Sequence, residues 1–93
     1  MTSKHLFSET VSVAKLRPGA VDRLYELYEQ CYDGSDRARF EADLREKQWV
    51  ILLRDATSSV TAGFSTQMLV DIEVEGTPVR ALFSGDTVIH PSY

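Results

Sequence analysis

The chain has 93 residues, of which 43% are hydrophobic and 26% are charged, and its formal net charge at pH 7 is −4. A chain of this size forms one domain with a thin stability margin, because it buries only about 60–65% of its extended surface. Its ten basic residues are scattered among fourteen acidic ones, which argues against nucleic acid as a partner, and no apolar run approaches the length of a membrane span.

The N-terminal residues and the single cysteine bear on compartment and metal binding. Residues 1–5 carry one lysine but no apolar run that could act as a signal sequence. Cys31 is the only cysteine, so no disulfide can form within the chain, and we expect a reducing, cytoplasmic setting without membrane contact. The histidines His5 and His90 lie at opposite ends and at no ligand spacing from a cysteine or a carboxylate pair, so we expect no metal site.

The first predicted elements are a short strand and an amphipathic helix. Val11 and Val13 alternate with polar residues, which predicts a strand over residues 9–16. Pro18 then suits the first turn of a helix. Apolar side chains recur after it at spacings of three and four and define an inward face: Val21, Leu24, Tyr25, Tyr28, Cys31 and Tyr32.

The polar and reactive groups on this helix face allow two interpretations. Its three tyrosines belong either to the core or to a substrate pocket, and we favour the core. Cys31 lies on the same face without a nearby base in the sequence, so we expect a buried thiol there rather than a nucleophile.

A second helix and a central strand follow in the sequence. Ser35 or Asp36 can cap a helix that runs to Lys47. Residues 48–54 then contain Trp49-Val50-Ile51-Leu52-Leu53, which is apolar on both faces. Such a run is typical of a central strand that is covered on two sides.

The last third of the chain, residues 60–93, predicts a long β-hairpin. Apolar or methyl-bearing side chains alternate with polar ones along both arms, and a tight turn on Glu75 and Gly76 would set the register. On an apolar face, this register pairs Ile72 with Val79, Val70 with Ala81, Met68 with Phe83 and Phe64 with Thr87. That face, with Ile89 continuing it, is expected to lie on the core.

The other face of the hairpin is polar enough to be solvated or to line a site. The same register pairs Asp71 with Arg80, Gln67 with Ser84 and Ser65 with Asp86, with Leu69 against Leu82 as the apolar exception. A slip of one residue would bury three charged side chains, which costs several kcal/mol for each unpaired ion. We therefore expect a well-specified register.

The elements together predict an α+β fold: a mainly antiparallel four-stranded sheet in the order β-α-α-β-β-β, with two helices on one face. The helices should cover the face that bears Phe64, Met68 and Val70. The apolar run at Trp49 predicts cover on the other face as well. We therefore expect residues 1–93 to form a single but partial domain, whose remaining cover is missing or comes from a partner.

This order of elements and three short sequence features resemble the N-terminal half of the GNAT acetyltransferase superfamily. The features are Phe40 and Leu44 in the second helix, Gly63-Phe64 in the third strand, and the ending Asp86-Thr87-Val88-Ile89-His90-Pro91-Ser92-Tyr93. In that family an apolar-x-Val-x-Pro-x-Tyr-like run leads directly into an Arg/Gln-x-x-Gly-x-Gly/Ala loop, whose amides hold the pyrophosphate of acetyl-CoA. The resemblance covers nearly the whole chain but about half of the family's fold, and the sequence stops at Tyr93, just before that loop.

The resemblance implies roles for the end of the fourth strand. Backbone groups of Thr87, Val88 and Ile89 would meet the acetyl group and pantetheine arm of acetyl-CoA, the co-substrate of the complete fold. Asp86 would lie on the polar face near the acceptor amine as a general base, acting directly or through water. The alternative for Asp86 is a strand-end carboxylate that accepts a hydrogen bond from a neighbouring donor such as Ser65 or a backbone amide. The alternative for His90 is a solvated side chain.

Two functions have support in the sequence, and a third, a small-molecule sensor built on half of an acyltransferase fold, is left open without such support. The first is the N-terminal portion of an acyl-CoA-dependent N-acetyltransferase, which transfers an acyl group to an amine and is completed by a C-terminal half. For the lone chain we expect weak or no acetyl-CoA binding and no catalysis. The second is a stand-alone α+β interaction module that dimerises or takes a partner through an open sheet face or edge.

Overall fold

The computed structural model describes residues 5–93 and confirms the predicted α+β architecture. The elements are β1 (Leu6–Ser12), a 3-10 helix (Val13–Lys15), α1 (Pro18–Cys31), α2 (Arg37–Arg45), β2 (Trp49–Asp55), β3 (Thr61–Val74) and β4 (Thr77–Ile89). The sheet has the order β1-β2-β3-β4 with every neighbouring pair antiparallel. Both helices pack on one face. No helix within residues 5–93 is both long and apolar enough to cross a membrane.

The first strand starts and ends earlier than predicted. It runs over Leu6–Ser12, because these seven residues pair with all of β2. Val13 leaves the sheet: its amide still donates to the carbonyl of Gln48 at 3.0 Å, and the chain then turns through the 3-10 helix. The prediction of a strand over residues 9–16 was therefore wrong at both ends.

The two helices begin where the sequence indicates. Pro18 occupies the first turn of α1. Asp36, rather than Ser35, caps α2: its carboxylate accepts from the amides of Ala38 and Arg39 at 2.9 and 3.3 Å. The helix ends at Arg45, two residues before the predicted end.

The core forms between the helices and the near part of the sheet. Eight apolar side chains are at most 4% exposed, two from each helix, two from β2 and one each from β3 and β4: Leu24, Leu27, Phe40, Leu44, Val50, Leu52, Phe64 and Val88. Full burial of each of the larger ones stabilises the fold by about 1.5–3 kcal/mol. The rings of Phe40 and Phe64 meet edge to face, with centroids 6.2 Å apart.

The inward face of α1 differs from the prediction at its C-terminal end. Leu27, which the predicted face omits, is fully buried beside Leu24. Tyr28 is half-buried, whereas Tyr32 is exposed and Cys31 is an exposed free thiol. The predicted buried thiol was wrong, because α1 ends at Cys31, at the margin of the sheet.

The outer part of the hairpin has the predicted register. Glu75 and Gly76 both have positive φ, 50° and 78°, as a tight two-residue hairpin turn requires. The pairs that the structure confirms are Ile72 with Val79, Val70 with Ala81, Met68 with Phe83, Asp71 with Arg80, Gln67 with Ser84 and Leu69 with Leu82.

A β-bulge changes the register nearer the core. Two residues of β4, Gly85 and Asp86, lie opposite the single residue Thr66 of β3. Beyond the bulge the partners are Ser65 with Thr87 and Phe64 with Val88, so the predicted pairs of Phe64 with Thr87 and Ser65 with Asp86 were wrong. The extra residue exchanges the faces of the strand. Val88 therefore enters the core, and Thr87 and Ile89 are exposed.

The apolar face of the hairpin lies on the core only near Phe64. We call residues 68–83 the arm, because this segment extends past the helices in a molecule measuring 54 × 30 × 25 Å. Met68 and Val70 are half-buried at its base, and four apolar side chains farther out are exposed: Ile72, Val74, Val79 and Phe83. The expectation of a continuous buried face was wrong for these residues.

The face of the sheet opposite the helices has no cover from the described residues. Trp49, Ile51 and Leu53 of β2 are half-buried on this open face, and Leu82 and Ile89 of β4 are exposed on it. The sequence predicted that both faces of β2 are covered. Within residues 5–93, only the face toward the helices is covered.

Candidate functional site: the bulge and free edge of β4

The end of β4 carries the residues that the sequence singled out. β4 is the outermost strand of the sheet, so one of its sides has no neighbouring strand among the described residues. The His90 amide donates to the Ala62 carbonyl of β3 at 2.7 Å. A Cβ placed on Gly63 would lie 2.6 Å from the Val88 carbonyl oxygen, which puts that oxygen against β3 as well.

The alternation of backbone groups then fixes the direction of Thr87 and Ile89. Along an antiparallel strand, successive residues turn their N–H and C=O groups to opposite sides. Since Val88 and His90 face β3, the backbone groups of Thr87 and Ile89 face the free edge. The Sγ atom of Cys31 lies 3.8 Å from the Ile89 carbonyl oxygen on that side. Of the three residues that the resemblance assigns to the cofactor, Thr87 and Ile89 turn their backbone groups to the free edge, and Val88 pairs with β3.

Asp86 sits in the bulge and not opposite Ser65. The hydroxyl of Ser65 instead shares a 2.9 Å hydrogen bond with that of Thr87. Asp86 is half-buried and close enough to Tyr28 of α1 for its charge to act on that phenol. The bulge thus directs the carboxylate toward the helix layer, and neither the predicted polar-face position nor the alternative partner Ser65 is observed.

Tyr28 is a candidate site residue that the sequence interpretation assigned to the core. Its ring packs against those of Tyr32 and Phe40, with centroids 4.7 and 4.9 Å away. Burial raises the pKa of its hydroxyl, and the negative charge of Asp86 raises it further, so the phenol is protonated at neutral pH. Asp86 lies in the bulge, and the helical spacing around Tyr28 gave no signal that the charge of Asp86 acts on its hydroxyl.

A buried hydroxyl lies directly behind the bulge. Thr66 is 2% exposed, and its Oγ1 has no hydrogen-bond partner among residues 5–93. A Cβ on Gly85 would meet this oxygen at 2.5 Å and Cε of Lys47 at 2.7 Å. Only glycine fits here without a shift of these groups, which explains how β4 can bulge tightly over Thr66.

The open face beside Thr87 carries a hydrogen-bonded chain of polar side chains. The Ser84 hydroxyl donates to Oε1 of Gln67 at 3.2 Å, and Nε2 of Gln67 donates to Ser65 at 3.0 Å. The bond from Ser65 to Thr87 extends this chain across the bulge. The face is therefore polar next to the free edge, as a surface that lines a site would be.

The sequence was also compared with protein families and with curated proteins. No family model and no curated protein matches it. Within residues 5–93, no group of three or more His, Cys, Asp or Glu side chains is arranged to hold a metal ion.

The residues after β4 run along the same end of the sheet toward the end of β2. The ring nitrogen Nδ1 of His90 accepts from the Ser92 amide at 3.0 Å, so the half-buried His90 holds a turn rather than projecting into solvent. The Tyr93 hydroxyl donates to Oδ2 of Asp55 at 2.5 Å. These contacts tie the segment after Ile89 to the β2–β3 connection.

We expect Tyr93→Phe to lower stability at neutral pH, with a deficit that shrinks in alkali. The hydrogen bond to Asp55 is the main cause that raises the pKa of Tyr93 above its ordinary 10.0. A raised folded-state pKa means that the protonated phenol stabilises the fold below pH 10, and that this contribution is lost as pH rises through the folded-state value. Urea unfolding at several pH values gives the free energy of unfolding of the unsubstituted chain and of Tyr93→Phe. A difference between the two that stays constant with pH would contradict this assignment.

Proposed function

We propose that this chain forms the N-terminal half of an acyl-CoA-dependent N-acyltransferase, with acetyl as the acyl group and an amine as acceptor. The observation that carries the proposal is the pair of outward-facing backbone groups at Thr87 and Ile89, which follow directly on the bulge that holds Asp86. β-Bulges often lie next to active sites, where they redirect a side chain.

The proposed chemistry assigns one task to each group. An outward amide of β4 donates to the thioester carbonyl oxygen, where negative charge develops as the amine attacks. The new bond joins the amine nitrogen to the carbonyl carbon, the bond from that carbon to sulfur breaks, and the thiolate leaves. Asp86 accepts the proton from the attacking nitrogen, either directly or through water.

The proposal includes a complementing half that carries the pyrophosphate-binding loop. The free edge of β4 can pair with a further strand, and the open face around Trp49 and Ile51 supplies an apolar surface for its packing. The lone chain should bind acetyl-CoA weakly or not at all, because its described residues offer only the acyl end of the site. A free thiol at Cys31 is compatible with the cytoplasm, which we propose as its location.

The proposal is tested by titrating the chain with S-acetyl-pantetheine, which lacks the pyrophosphate. We expect the largest backbone amide shifts in NMR spectra at Thr87 and Ile89, with a smaller change at Val88, whose amide faces β3. Free pantetheine is the matched control for the acyl group. Ile89→Pro removes one outward N–H without removing a bond to β3, and should abolish the response at that end.

Two results would count against the proposal. The first is the absence of any shift at Thr87 and Ile89 at millimolar ligand. The second is micromolar binding of acetyl-CoA by the lone chain in calorimetry, which would mean that the pyrophosphate site is already present.

The second candidate is an interaction module that takes a partner through the open face. The half-buried Trp49, Ile51 and Leu53 on an uncovered sheet favour it. Trp49 is the only tryptophan, so a blue shift of its fluorescence on adding a partner reports burial of this face. Loss of partner binding in Ile51→Lys, with the S-acetyl-pantetheine response absent, would favour the module over the acyltransferase.

A further inference from the structure

We propose that a cavity beside the bulge of β4 binds a small monocarboxylate with a short hydrocarbon body. The carboxylate meets the ammonium of Lys47 and the hydroxyl of Thr66, and the hydrocarbon lies against the base of the arm. The proposal rests on a cavity, a buried donor without a partner and an unpaired cation, and it does not depend on acyl transfer.

The cavity lies on the helix-covered face of the sheet, where β3 and β4 leave the helix layer. Its volume is about 290 Å³. A cation, three apolar side chains and the start of the bulge form its walls: Lys47, Met68, Val70, Phe83, Ser84 and Gly85. No carboxylate from residues 5–93 lines it. A mostly apolar cavity with one cation suits a ligand that has one anionic end and an apolar body.

A buried hydroxyl without a partner lies at the bulge end of the cavity. Thr66 is 2% exposed, and its Oγ1 makes no hydrogen bond to any of residues 5–93. Nearly all buried polar groups in folded proteins have a partner, because an unsatisfied one costs free energy. The hydroxyl lies against Gly85, whose Cβ position is 2.5 Å from Oγ1. An acceptor bound at this position would satisfy it.

Lys47 supplies a positive charge next to this hydroxyl. Its Nζ lies 3.7 Å from the same Cβ position on Gly85, so the ammonium and the hydroxyl flank one point and can both reach one carboxylate. Lys47 makes no ion pair with the described residues, neither with Asp43 nor with Asp86. A cation without a counter-charge beside an unpartnered donor favours an anionic ligand, because hydrogen bonds to a charged acceptor are the stronger ones.

The way to the Thr66 hydroxyl is controlled by Lys47 and Gly85. Cε of Lys47 lies 2.7 Å from the Cβ position of Gly85 and covers the hydroxyl. The Lys47 ammonium donates only to the backbone carbonyl of Asp43 among the described residues, at 3.4 Å. A flexible lysine stem held by one long bond can turn toward an anion, and this movement uncovers Oγ1. A side chain at position 85 would fill the space between the two donors.

The apolar walls set the size of the hydrocarbon body. Met68 and Val70 are half-buried, and Phe83 is 50% exposed, so a ligand that covers them removes apolar surface from water. The cavity is at the lower end of the usual range for ligand sites, about 300–1,000 Å³. It therefore suits a chain of a few carbon atoms or a single ring.

NMR titration of the full chain with hexanoate tests the proposal. We expect dose-dependent backbone amide shifts at Thr66, Met68 and Gly85 at millimolar hexanoate. Hexanol has the same chain without the charge, and acetate has the charge with little hydrocarbon. Each should bind at least about tenfold more weakly than hexanoate. This response is separate from that of the acyl site, whose reporters are Thr87 and Ile89.

Lys47→Met keeps the length of the side chain and removes its charge. It should raise the dissociation constant for hexanoate about tenfold, which corresponds to the loss of one hydrogen bond to a charged group. Lys15→Met is the matched control, because Lys15 is exposed, makes no ion pair with residues 5–93 and lies outside the cavity. It should leave hexanoate binding unchanged.

Thr66→Val distinguishes a binding role of the hydroxyl from a structural one. Valine has nearly the same shape, and removal of an unsatisfied buried donor should raise the urea midpoint of unfolding. The same variant should bind hexanoate several-fold more weakly.

Four results would each overturn the proposal. They are the absence of shifts at Thr66 and Gly85 at millimolar hexanoate, equal binding of hexanol and hexanoate, equal affinities of Lys47→Met and Lys15→Met, and unchanged affinity in Thr66→Val.

Discussion

Phe64→Ala should lower the free energy of unfolding by about 3–5 kcal/mol, the largest effect of any substitution considered for this chain. Phe64 is 1% exposed and is the largest of the fully buried side chains. It joins the two layers, because its ring meets Phe40 of α2 while its backbone pairs with Leu52 and Val88 on either side. Truncation leaves a cavity between α2 and the three strands β2, β3 and β4.

The matched control is Phe83→Ala on the arm. The sequence pattern assigns Phe64 and Phe83 to one continuous apolar face, yet Phe83 is 50% exposed. We expect its truncation to cost less than about 1 kcal/mol, because most of its ring area stays in water in the monomer. Urea unfolding of both variants in dilute solution, followed by Trp49 fluorescence, measures the difference.

Since small domains are stable by only about 5–15 kcal/mol, Phe64→Ala can leave a visible unfolded fraction. Phe64→Leu keeps most of the side-chain volume. We expect it to stay folded enough to measure and to lower the free energy of unfolding by less than about 1.5 kcal/mol. Equal losses in Phe64→Ala and Phe83→Ala would show that the arm packs on a core in the monomer, contrary to the structure.

The element order and the arm register were predictable because each has a local cause. Period-two alternation identifies β3 and β4, and a turn with two residues of positive φ at Glu75 and Gly76 sets the pairing outward of Gln67. The sequence limited the N-cap of α2 to two neighbouring residues, Ser35 and Asp36, because short polar side chains accept hydrogen bonds from the first backbone amides of a helix.

The bulge was missed, although the sequence carries a signal for it. An isolated glycine inside a strand pattern favours a bulge, and Gly85 stands between Phe83 and Val88. The buried positions of β4 would then change from odd to even numbers after Gly85, which places Val88 in the core instead of Thr87. A period-two pattern extended through Gly85 cannot show this change.

The site itself depended on contacts that no local pattern encodes. The direction of the Thr87 and Ile89 amides follows from which strand β4 pairs with, and the proximity of Asp86 to Tyr28 follows from the bulge. The exposure of Cys31 depends on where α1 ends relative to the sheet, because helical spacing gives the direction of a side chain but not the extent of the layer beneath it.

Gly63→Ala should cost about 1–3 kcal/mol, because the added Cβ has no room between β3 and β4. It would lie 2.6 Å from the Val88 carbonyl oxygen, a backbone atom that can move only if the strand moves. Gly19→Ala is the control: nothing lies within 4 Å of its Cβ position in α1, and a helical alanine stabilises by up to about 1 kcal/mol relative to glycine.

Hydrogen exchange gives the local readout for Gly63→Ala. The amides of Val88 and His90 face β3 and should lose protection in this variant, whereas those of the arm should keep it, because the arm register is set by its own turn. If Gly63→Ala were neutral, β4 would not lie close over Gly63. If the Val88 and His90 amides were already unprotected in the unsubstituted chain, they would not face β3, and the outward direction of Thr87 and Ile89, on which the proposed acyl site rests, would be lost.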